Sequence, residues 1–397
     1  MTRNLESRDK DNDEPALRNP NLAVGNMNPR GSAVPDNISQ KLRAKVRERV
    51  AFSLNSTPEV TNIERCTLDK SRSCLHCVGS SMDLRFFAKV FLEEIYRFDS
   101  PSIFPTDEGI FQYSQTRSVA DQIDTEWNAT NRLRALAGPA DVPRPIAKSL
   151  SAKTIVWEEV RGTRLDHFVT WSRLRDPKGT ATAAAMFSAG AWIRKVHDAF
   201  PQNGREVIDI SRLIEAVPDM VQRESSYRYV RIATKLLERA LVSVGGTGKL
   251  MAPIVFTHGD FSLPNLMWDT KLSQLAVFDF ENSGYRSVFH DLTAIVFSLR
   301  ASLLYPLIPK TVLVVAERSF WAGYGSISNK MLICIDALVS SHIFCGVLPR
   351  LYTRSKRRGW LAGVTASVYK SFLEDYVITS RLGIPAGFGE SVNVPGN

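Results

Sequence analysis

The pattern of apolar and polar residues changes twice in the first quarter of the chain. Residues 1–38 are rich in Asn, Asp, Arg and Pro and have almost no aromatic residues, which is typical of disordered segments. A short basic helix is predicted at 41–50. Short apolar runs separated by polar turns then predict three antiparallel strands, at 60–68, 74–78 and 84–92.

Longer apolar patterns dominate the rest of the chain. Apolar residues three or four apart predict helices, because this spacing places them on one helix face. Two further strands are predicted at 144–146 and 153–160. The helices are predicted at 118–137, 180–200, 208–225, 229–244, 292–304, 311–324, 331–348 and 362–382. The sequence therefore predicts an antiparallel sheet followed by a mainly helical region.

One lysine interrupts the third strand of that sheet. Lys89 lies in the middle of an otherwise apolar strand, where burying an ammonium group is costly unless it is paired. The helix predicted at 118–137 carries Glu126 on its apolar face, and we expect Glu126 to pair with Lys89. Pairing with Asp121 or Asp124, or an edge-strand lysine without a carboxylate partner, are the alternatives.

Residues 256–291 combine carboxylate and amide side chains with short apolar runs. Asp260 lies in a loop, Asn265 follows five residues later, and Asp279 comes directly after the apolar run 275–278. Transfer of a phosphoryl group requires it to be positioned, its charge neutralised by Mg²⁺, and the attacking hydroxyl oriented by a carboxylate. Mg²⁺ prefers a few protein oxygens together with phosphate and water. These three side chains therefore predict a phosphotransferase site.

The motifs in this stretch resemble those of a known superfamily. They are HGD-x4-N at 258–265, VFDFE at 277–281 and HDL at 290–292. Together they resemble the aminoglycoside phosphotransferase and choline kinase superfamily, which has a protein-kinase-like fold. The resemblance implies a catalytic base at Asp260 and metal ligands at Asn265 and Asp279. It also implies an α+β fold with two lobes, a small antiparallel sheet lobe with one helix and a larger, mainly helical lobe.

The resemblance also assigns the residues that bind ATP. Lys89 corresponds to the lysine that contacts the α and β phosphates, with Glu126 as its partner. No glycine-rich loop of the protein-kinase type is present, so Ser71-Arg72-Ser73 is the candidate phosphate loop. Glu159 falls in the segment that resembles the hinge, whose backbone groups contact the adenine edge.

Other residues of the motifs have supporting roles in this interpretation. His258 is expected to hold the loop, and Asp291 to brace it from the start of a helix. His197 is also expected to be structural. For Glu281 two interpretations stay open, a contribution at the metal site and a solvated acid in a turn.

The length of 397 residues allows two lobes flanked by extensions. The predicted division is a disordered or weakly structured extension at 1–50, a nucleotide-binding N-lobe at 51–160, a catalytic and acceptor-binding C-lobe at 161–382 and a flexible tail at 383–397. The first 14 residues do not resemble a secretory signal. The most apolar window, 331–348, contains Asp336 and His342, which favours a buried helix over a transmembrane segment.

The cysteines are few and odd in number, which favours free thiols in a reducing, cytoplasmic environment. Cys74-Leu75-His76-Cys77 has the spacing of some metal sites. Residues three apart in a strand point to opposite faces, however, so metal or redox chemistry is not expected there. The five cysteines are Cys66, Cys74, Cys77, Cys334 and Cys345.

Charge narrows the choice of acceptor. From Arg300 onward the chain has eleven Lys or Arg residues and five acids. Pockets for polycationic substrates are expected to be acidic, so this balance favours a neutral or anionic acceptor such as a sugar, a metabolite or a lipid-linked alcohol. The resemblance also allows an amino alcohol as the acceptor. The basic run at 354–358 is interpreted as a solvated turn in preference to a contact with an anionic membrane or nucleic acid. The net charge of +9 does not by itself imply a nucleic-acid partner.

Two functions follow from these observations. The first is an ATP- and Mg²⁺-dependent kinase that phosphorylates a hydroxyl group of a small molecule. The second is a catalytically silent kinase-fold module that binds nucleotide or a partner. The presence of Asp260, Asn265 and Asp279 favours the enzyme.

Overall fold

The computed structural model describes nine stretches of the chain, which contain most of the predicted elements. Predictions for 1–38, for the phosphate loop at 71–73, for the basic run at 354–358 and for 362–397 lie outside them. The described residues are 40–68, 74–82, 84–100, 113–138, 140–171, 179–221, 227–245, 248–301 and 310–343.

A five-stranded antiparallel sheet with two helices forms the first part of the fold. Its strands follow the order β1-β2-β3-β7-β6, and β4 and β5 form a separate hairpin. In chain order the elements are α1 (Gln40–Ser53), β1 (Thr61–Leu68), β2 (Cys74–Ser81), β3 (Leu84–Phe91), β4 (Ile95–Ser100), β5 (Tyr113–Ser118), α2 (Val119–Ala137), β6 (Pro145–Ser149) and β7 (Thr154–Glu158).

The two helices cover opposite faces of this sheet. On one face, Val46 and Val50 of α1 pack in a cluster with Phe86, Ala88 and Val90 of β3. On the other face, residues of β3 and β7 pack with Ile123 of α2. Since neighbouring residues of a strand point to opposite faces, Lys89 faces α2. The third strand, predicted at 84–92, is confirmed as β3.

The prediction of free thiols is wrong for two of the cysteines. Cys66 and Cys77 are directly opposite each other in the register of β1 and β2, and they form a disulfide. The sequence alone does not show this register, and the odd number of cysteines led to the prediction of free thiols. Cys74 packs on the opposite face of the sheet from Cys77, as predicted, so the two do not share a metal site.

The second described part is mainly helical, with two small three-stranded sheets. The sheets have the orders β13-β10-β9 and β12-β11-β8. The elements are β8 (Thr163–Arg164), α3 (Leu165–Trp171), α4 (Thr180–Ala199), β9 (Pro201–Asp209), α5 (Ile210–Val221), α6 (Tyr227–Val244), β10 (Lys249–Thr257), β11 (Leu266–Asp269), β12 (Gln274–Val277), β13 (Gly284–Ser287), α7 (Phe289–Ala301), α8 (Lys310–Tyr324) and α9 (Asn329–His342). The predicted α+β class is confirmed.

The helices α4 and α8 approach each other at two glycines. A Cβ atom on Gly190 would lie 2.1 Å from the carbonyl oxygen of Phe320, and one on Gly323 would lie 2.0 Å from that of Phe187. The backbones therefore contact each other directly. No helix in the described part of the chain is both long enough and apolar enough to span a membrane.

Strand β9 was not predicted, and its last two residues, 208 and 209, fall in the helix predicted at 208–225, which begins at Ile210 as α5. Its first five residues are exposed, and it pairs with β10 along its length. A strand of this kind has no apolar alternation, so it is held by backbone pairing that a sequence pattern does not show.

Candidate active site

The hairpin of β11 and β12 brings Asn265 and Asp279 together. Leu266 begins β11 and is opposite Val277, the last residue of β12. The Phe278 amide also donates to the carbonyl oxygen of Asn265 at 3.2 Å. Asn265 and Asp279 therefore flank the same end of one hairpin, although they are far apart in sequence.

Asn265 also holds Asp260. Its Nδ2 atom donates to the carbonyl oxygen of Asp260 at 2.9 Å and to the carboxylate oxygen Oδ2 at 3.0 Å. A 3₁₀ turn, Leu263–Asn265, connects the two residues, and the Leu263 amide is anchored on Ser298 Oγ of α7 at 3.1 Å. The three predicted side chains are thus gathered in one place, with the Asp260 carboxylate oriented by Asn265.

Lys89 forms the centre of a cluster of three carboxylates. Its Nζ atom lies 2.8 Å from Glu126 Oε1, so the predicted ion pair is present. The same Nζ lies 2.5 Å from Asp279 Oδ1 and 3.2 Å from Glu281 Oε2. The side chains of Lys89 and Glu126 are each only 1% exposed. Lys89 therefore connects α2 to the segment that follows β12.

The alternative partners of Lys89 have other roles. Asp121 lies in the first turn of α2, where its amide donates to Ser118 Oγ at 3.0 Å and completes the N-cap. Asp124 pairs with Lys148 of β6 at 2.5 Å. Helix geometry explains the choice, because only Glu126 of the three is on the buried face of α2.

The two aspartates have opposite pKa shifts. Burial raises the pKa of Asp260 above its ordinary value, while the nearby His258 opposes the rise and the Asp279 carboxylate adds to it. Burial also acts to raise the pKa of Asp279, but the Lys89 ammonium reverses this and holds the pKa below its ordinary value. Asp279 therefore stays ionised, as a metal ligand must, whereas Asp260 takes a proton more readily than an exposed aspartate.

The two glutamates of the cluster both have raised pKa values. Burial raises the pKa of Glu126 to about 8, although Lys89 opposes the rise. Burial likewise raises the pKa of Glu281 to about 7, again against Lys89. Asp279 is ionised beside the Lys89 ammonium, and further negative charge on Glu126 or Glu281 is disfavoured in this buried cluster. Oxygen atoms of Glu126, Asp279 and Glu281 lie within 4.8 Å of one another, which is an arrangement able to hold a cation.

A buried network supports the loop that carries Asp260. The Asp291 carboxylate accepts hydrogen bonds from the amides of His258 and Gly259, both at 2.8 Å. It also bonds His197 Nε2 at 3.1 Å, and His197 Nδ1 bonds the Tyr324 hydroxyl at 3.1 Å. Burial acts to raise the pKa of Asp291, but the bond from His197 and the Gly259 amide hold it below its ordinary value. The supporting roles predicted for Asp291 and His197 agree with these contacts.

Backbone conformation explains the glycine before Asp260. Gly259 has φ of 85°, and a Cβ atom there would lie 2.0 Å from the carbonyl oxygen of Asn282. Any larger residue would push the Asp260 loop away from the segment that follows Asp279. The glycine of the HGD motif is therefore required by the fold.

The predicted hinge residue has two contacts with β3. The Glu159 amide donates to the carbonyl oxygen of Arg85 at 3.1 Å, and its carboxylate pairs with the Arg85 guanidinium. The chain then turns at Gly162, which has φ of 122° and lies close to the Trp268 backbone. The predicted contact of Glu159 with adenine stays a prediction, and its amide is already bonded. The phosphate loop at 71–73 lies outside the described residues.

Sequence reasoning missed two donors at the site. Arg117 at the end of β5 and Gln122 of α2 both donate to the carbonyl oxygen of Glu281, at 3.1 and 3.2 Å. Gln122 is fully buried on the face of α2 that carries Glu126. A buried amide one turn before Glu126 was a usable signal, whereas Arg117 had none, because the hairpin of β4 and β5 was not predicted.

The sequence model of the APH phosphotransferase enzyme family matches residues 106–308, just over half of the chain. The chain belongs to this family. Membership confirms the resemblance inferred from the motifs, and with the observed sheet and helices it confirms the predicted two-lobe, protein-kinase-like fold. The family match includes Asp260, Asn265 and Asp279 but begins after Lys89.

Solved structures of phosphotransferases are also similar to this chain, at low identity. An amicoumacin kinase in complex with AMP-PNP and Ca²⁺ has 12% identity and a TM-score of 0.48, covering 86% of this chain and 97% of its own. An aminoglycoside phosphotransferase from Streptomyces rimosus has 16% identity and a TM-score of 0.38, covering 78% and 100%. A Plasmodium vivax ethanolamine kinase has 10% identity and a TM-score of 0.42, covering 88% and 93%. A search of curated proteins gave no match.

Proposed function

We propose that this protein is an ATP- and Mg²⁺-dependent phosphotransferase that moves the γ-phosphoryl group to a hydroxyl of a small molecule. The observation that supports it most directly is the joint placement of Asp260, Asn265 and Asp279 around one hairpin end. Family membership makes phosphoryl transfer the reaction class to consider first.

Asp260 is the proposed catalytic base. In this role one carboxylate oxygen accepts the proton of the acceptor hydroxyl as the oxygen attacks phosphorus. The Asn265 amide bonds Asp260 Oδ2 and so fixes the direction in which the carboxylate presents its other oxygen. The raised pKa of Asp260 suits this task, because a base works best when its pKa approaches the operating pH.

The carboxylate oxygens gathered around Asp279 fit a divalent cation. Asn265 donates through Nδ2, which leaves its Oδ1 as the atom able to act as a ligand. We propose that Asn265 and Asp279 hold Mg²⁺ and that Glu281 assists, since its carboxylate belongs to the same cluster. Bound Mg²⁺ would neutralise phosphate charge during transfer.

Lys89 and Glu126 are proposed to organise the phosphates of ATP. Glu126 accepts two hydrogen bonds from Lys89 Nζ, at 2.8 and 3.1 Å, and so holds the ammonium at the edge of the site. The loop at 71–73 and the hinge at Glu159 complete the proposed nucleotide site. The proposed lobes are 51–160 for the nucleotide and 161–382 for catalysis and the acceptor.

The acceptor is proposed to be a neutral or anionic small alcohol, such as a sugar or another metabolite. The basic balance of the chain after residue 300 supports this class over polycationic substrates. A silent nucleotide-binding module is the second candidate, and it is disfavoured by the intact set of Asp260, Asn265 and Asp279.

Phosphorus NMR with ATP, Mg²⁺ and pooled sugars, amino alcohols, nucleosides and aminoglycosides tests the proposal. We expect a new phosphomonoester signal from the natural protein and a loss of roughly 10³-fold in rate for Asp260→Asn, with ATP binding near normal. The matched control is Asp198→Asn, because Asp198 is an exposed acid paired with Arg194. Full activity in Asp260→Asn would exclude Asp260 as the base. ATP·Mg²⁺ binding without turnover of any acceptor would favour the silent module.

A further inference from the structure

One tryptophan stacks on the residues that directly follow Asp260 and Asp279. Trp192 of α4 is 5% exposed. Its ring lies 5.8 Å from that of Phe261 at an interplanar angle of 5°, and 6.5 Å from that of Phe280 at 24°. Phe261 follows Asp260 directly, and Phe280 follows Asp279 directly. A single side chain thus contacts the neighbours of the proposed base and the proposed metal ligand.

The ring of His258 completes this aromatic cluster. It lies 5.8 Å from Phe261 and 4.9 Å from Phe280. Its Nε2 also donates to the carbonyl oxygen of Phe278 at 3.0 Å, which ties the two loops together. The cluster of Trp192, His258, Phe261 and Phe280 therefore forms a common floor under both aspartates.

The backbone near both aspartates is irregular, so packing has a large part in its placement. Residues 258–262 and 278–280 belong to neither a helix nor a strand. Both phenylalanines are almost fully buried, and an aromatic side chain has only two rotatable bonds. Fixing the ring of Phe261 or Phe280 consequently fixes the Cα next to it.

The indole nitrogen of Trp192 has no hydrogen-bond partner among the described residues, although it is buried. A buried N–H group without a partner costs free energy, and a purely apolar side chain would avoid that cost. The flat surface of the indole therefore makes contacts, whereas its nitrogen makes no hydrogen bond to a described residue. That surface is what both phenylalanines contact.

We propose that Trp192 is a positioning residue for phosphoryl transfer, which sets the separation of Asp260 and Asp279 by stacking on Phe261 and Phe280. This inference rests on the proposed function for its kinetic part. Its structural part, that Trp192 holds both loops, is independent of any activity. A shift of about 1 Å in such a pair is sufficient to lower a rate roughly 100-fold.

Two substitutions separate stacking from filling of space. Trp192→Phe keeps a planar ring, whereas Trp192→Met keeps a flexible apolar side chain without a ring. Trp127→Met is the matched control, because the ring of Trp127 on α2 lies 5.7 Å from Lys148 Nζ of β6, outside the aromatic cluster under the two loops. Each variant is assayed well below its own Tm, so that lost stability does not appear as lost activity.

The first measurement is hydrogen exchange by mass spectrometry on the full chain without ligands. We expect Trp192→Met to speed exchange at least about 10-fold in peptides covering both 258–266 and 277–283, since both loops lose the same support. Trp192→Phe should remain close to the natural protein, and Trp127→Met should leave both peptides unchanged. Equal exchange in Trp192→Phe and Trp192→Met, or faster exchange in only one loop, would overturn the proposal.

The second measurement is kinetics with the acceptor found by phosphorus NMR. We expect kcat to fall at least about 10-fold in Trp192→Met with KM for ATP within about twofold, because the nucleotide contacts of Lys89 are retained. A natural protein without turnover, combined with the expected exchange pattern, would reject the proposed function but keep the positioning role. An unchanged kcat alongside fast exchange would reject the kinetic part of the inference.

Discussion

In the described part of the chain, two buried clusters each place one cation among several carboxylates, and they differ in how the cation engages its partners. In the first, Lys89 lies among Glu126, Asp279 and Glu281, with its side chain 1% exposed. In the second, Arg300 of α7 lies between Glu317 and Asp336, with its side chain 6% exposed.

The Arg300 cluster uses the geometry of the guanidinium group. Its Nε and Nη2 atoms donate to the two oxygens of Glu317 at 3.2 and 2.7 Å, and Nη1 donates to Asp336 at 2.6 Å and to Ser340 Oγ at 3.4 Å. A planar fork that engages a carboxylate at two points is typical of structural ion pairs. This cluster connects α7 with α8 and α9.

The Lys89 cluster has no such geometric match. A single ammonium group lies among three carboxylates. Burial, with smaller contributions from the neighbouring carboxylates, raises the pKa of Glu126 to about 8 and that of Glu281 to about 7. The comparison teaches that the number of buried charges does not identify a functional site. The position of the Lys89 cluster beside Asp260, whose carboxylate interacts with those of Asp279 and Glu281, is the more informative feature.

The largest expected effect is the loss of activity in Asp279→Asn. Because Asp279 is the proposed metal ligand, we expect a loss of at least about 10³-fold in kcat, equivalent to about 4 kcal/mol of transition-state stabilisation. The thermal shift produced by Mg²⁺ and ATP should also disappear. The stability of the metal-free protein should fall modestly, because the lowered pKa of Asp279 means that its ionised form, paired with Lys89, favours the folded state.

Asp124→Asn is the control for that variant, because it removes an acid from α2 that pairs with Lys148 at the surface. Little change is expected in activity or stability. If Asp279→Asn lost stability but kept its rate, the two clusters would have the same role and the distinction drawn between them would be wrong.

For Arg300→Met we expect a large loss of stability with little loss of activity. Removing the guanidinium leaves Glu317 and Asp336 without their main cation, which should lower the free energy of unfolding by about 3 kcal/mol or more. Urea denaturation measures this loss, and kcat well below Tm should stay within about twofold. Arg300→Lys keeps the charge but not the fork and should lose less. A large fall in kcat with unchanged stability would place Arg300 in the active site.

The smallest expected effect is on the pH dependence of stability, and it concerns the hydrogen-bonded network around Asp291. The pKa of Asp291 is held below its ordinary value in the folded protein, so its ionised form stabilises the fold. That contribution is complete above the unfolded-state pKa, for which 3.8 is the ordinary value, and it is lost as the pH falls through the lower folded-state pKa. Asp291→Asn should therefore show a weaker loss of stability in acid than the natural protein.

Urea denaturation from pH 7 down to pH 3 measures this difference, with Asp198→Asn as a surface control. The natural protein and Asp198→Asn should follow the same curve. An Asp291→Asn curve that ran parallel to them, merely displaced to lower stability, would show that the charge of Asp291 contributes nothing.

Features with a local physical cause were predictable from the sequence. Helix α2 was predicted at 118–137 and is observed at Val119–Ala137, with Ser118 as its N-cap. The pairing of Lys89 with Glu126 was also predicted, since a lysine in an apolar strand requires a partner. The spacing of Asp260, Asn265 and Asp279 also indicated one site, because only a short hairpin separates Asn265 from Asp279.

Features that depend on register or on distant backbone were not predictable. The disulfide of Cys66 and Cys77 follows from the register of β1 and β2. The contact of Lys89 with Asp279 joins residues 190 positions apart. Trp192 shows no motif in the sequence, because its role depends on which rings α4 meets in the folded chain.

The close approach of α4 and α8 has a consequence for comparing this chain with distant relatives. At Gly190 and Gly323 a side chain is excluded by the backbone of the opposite helix, not by another side chain. No substitution of a neighbouring side chain can make room, so a larger residue requires both helices to move apart. These two positions can therefore serve as fixed points for aligning relatives whose sequences have otherwise diverged. They would relate the helix of Trp192 to its counterpart where identity alone no longer does.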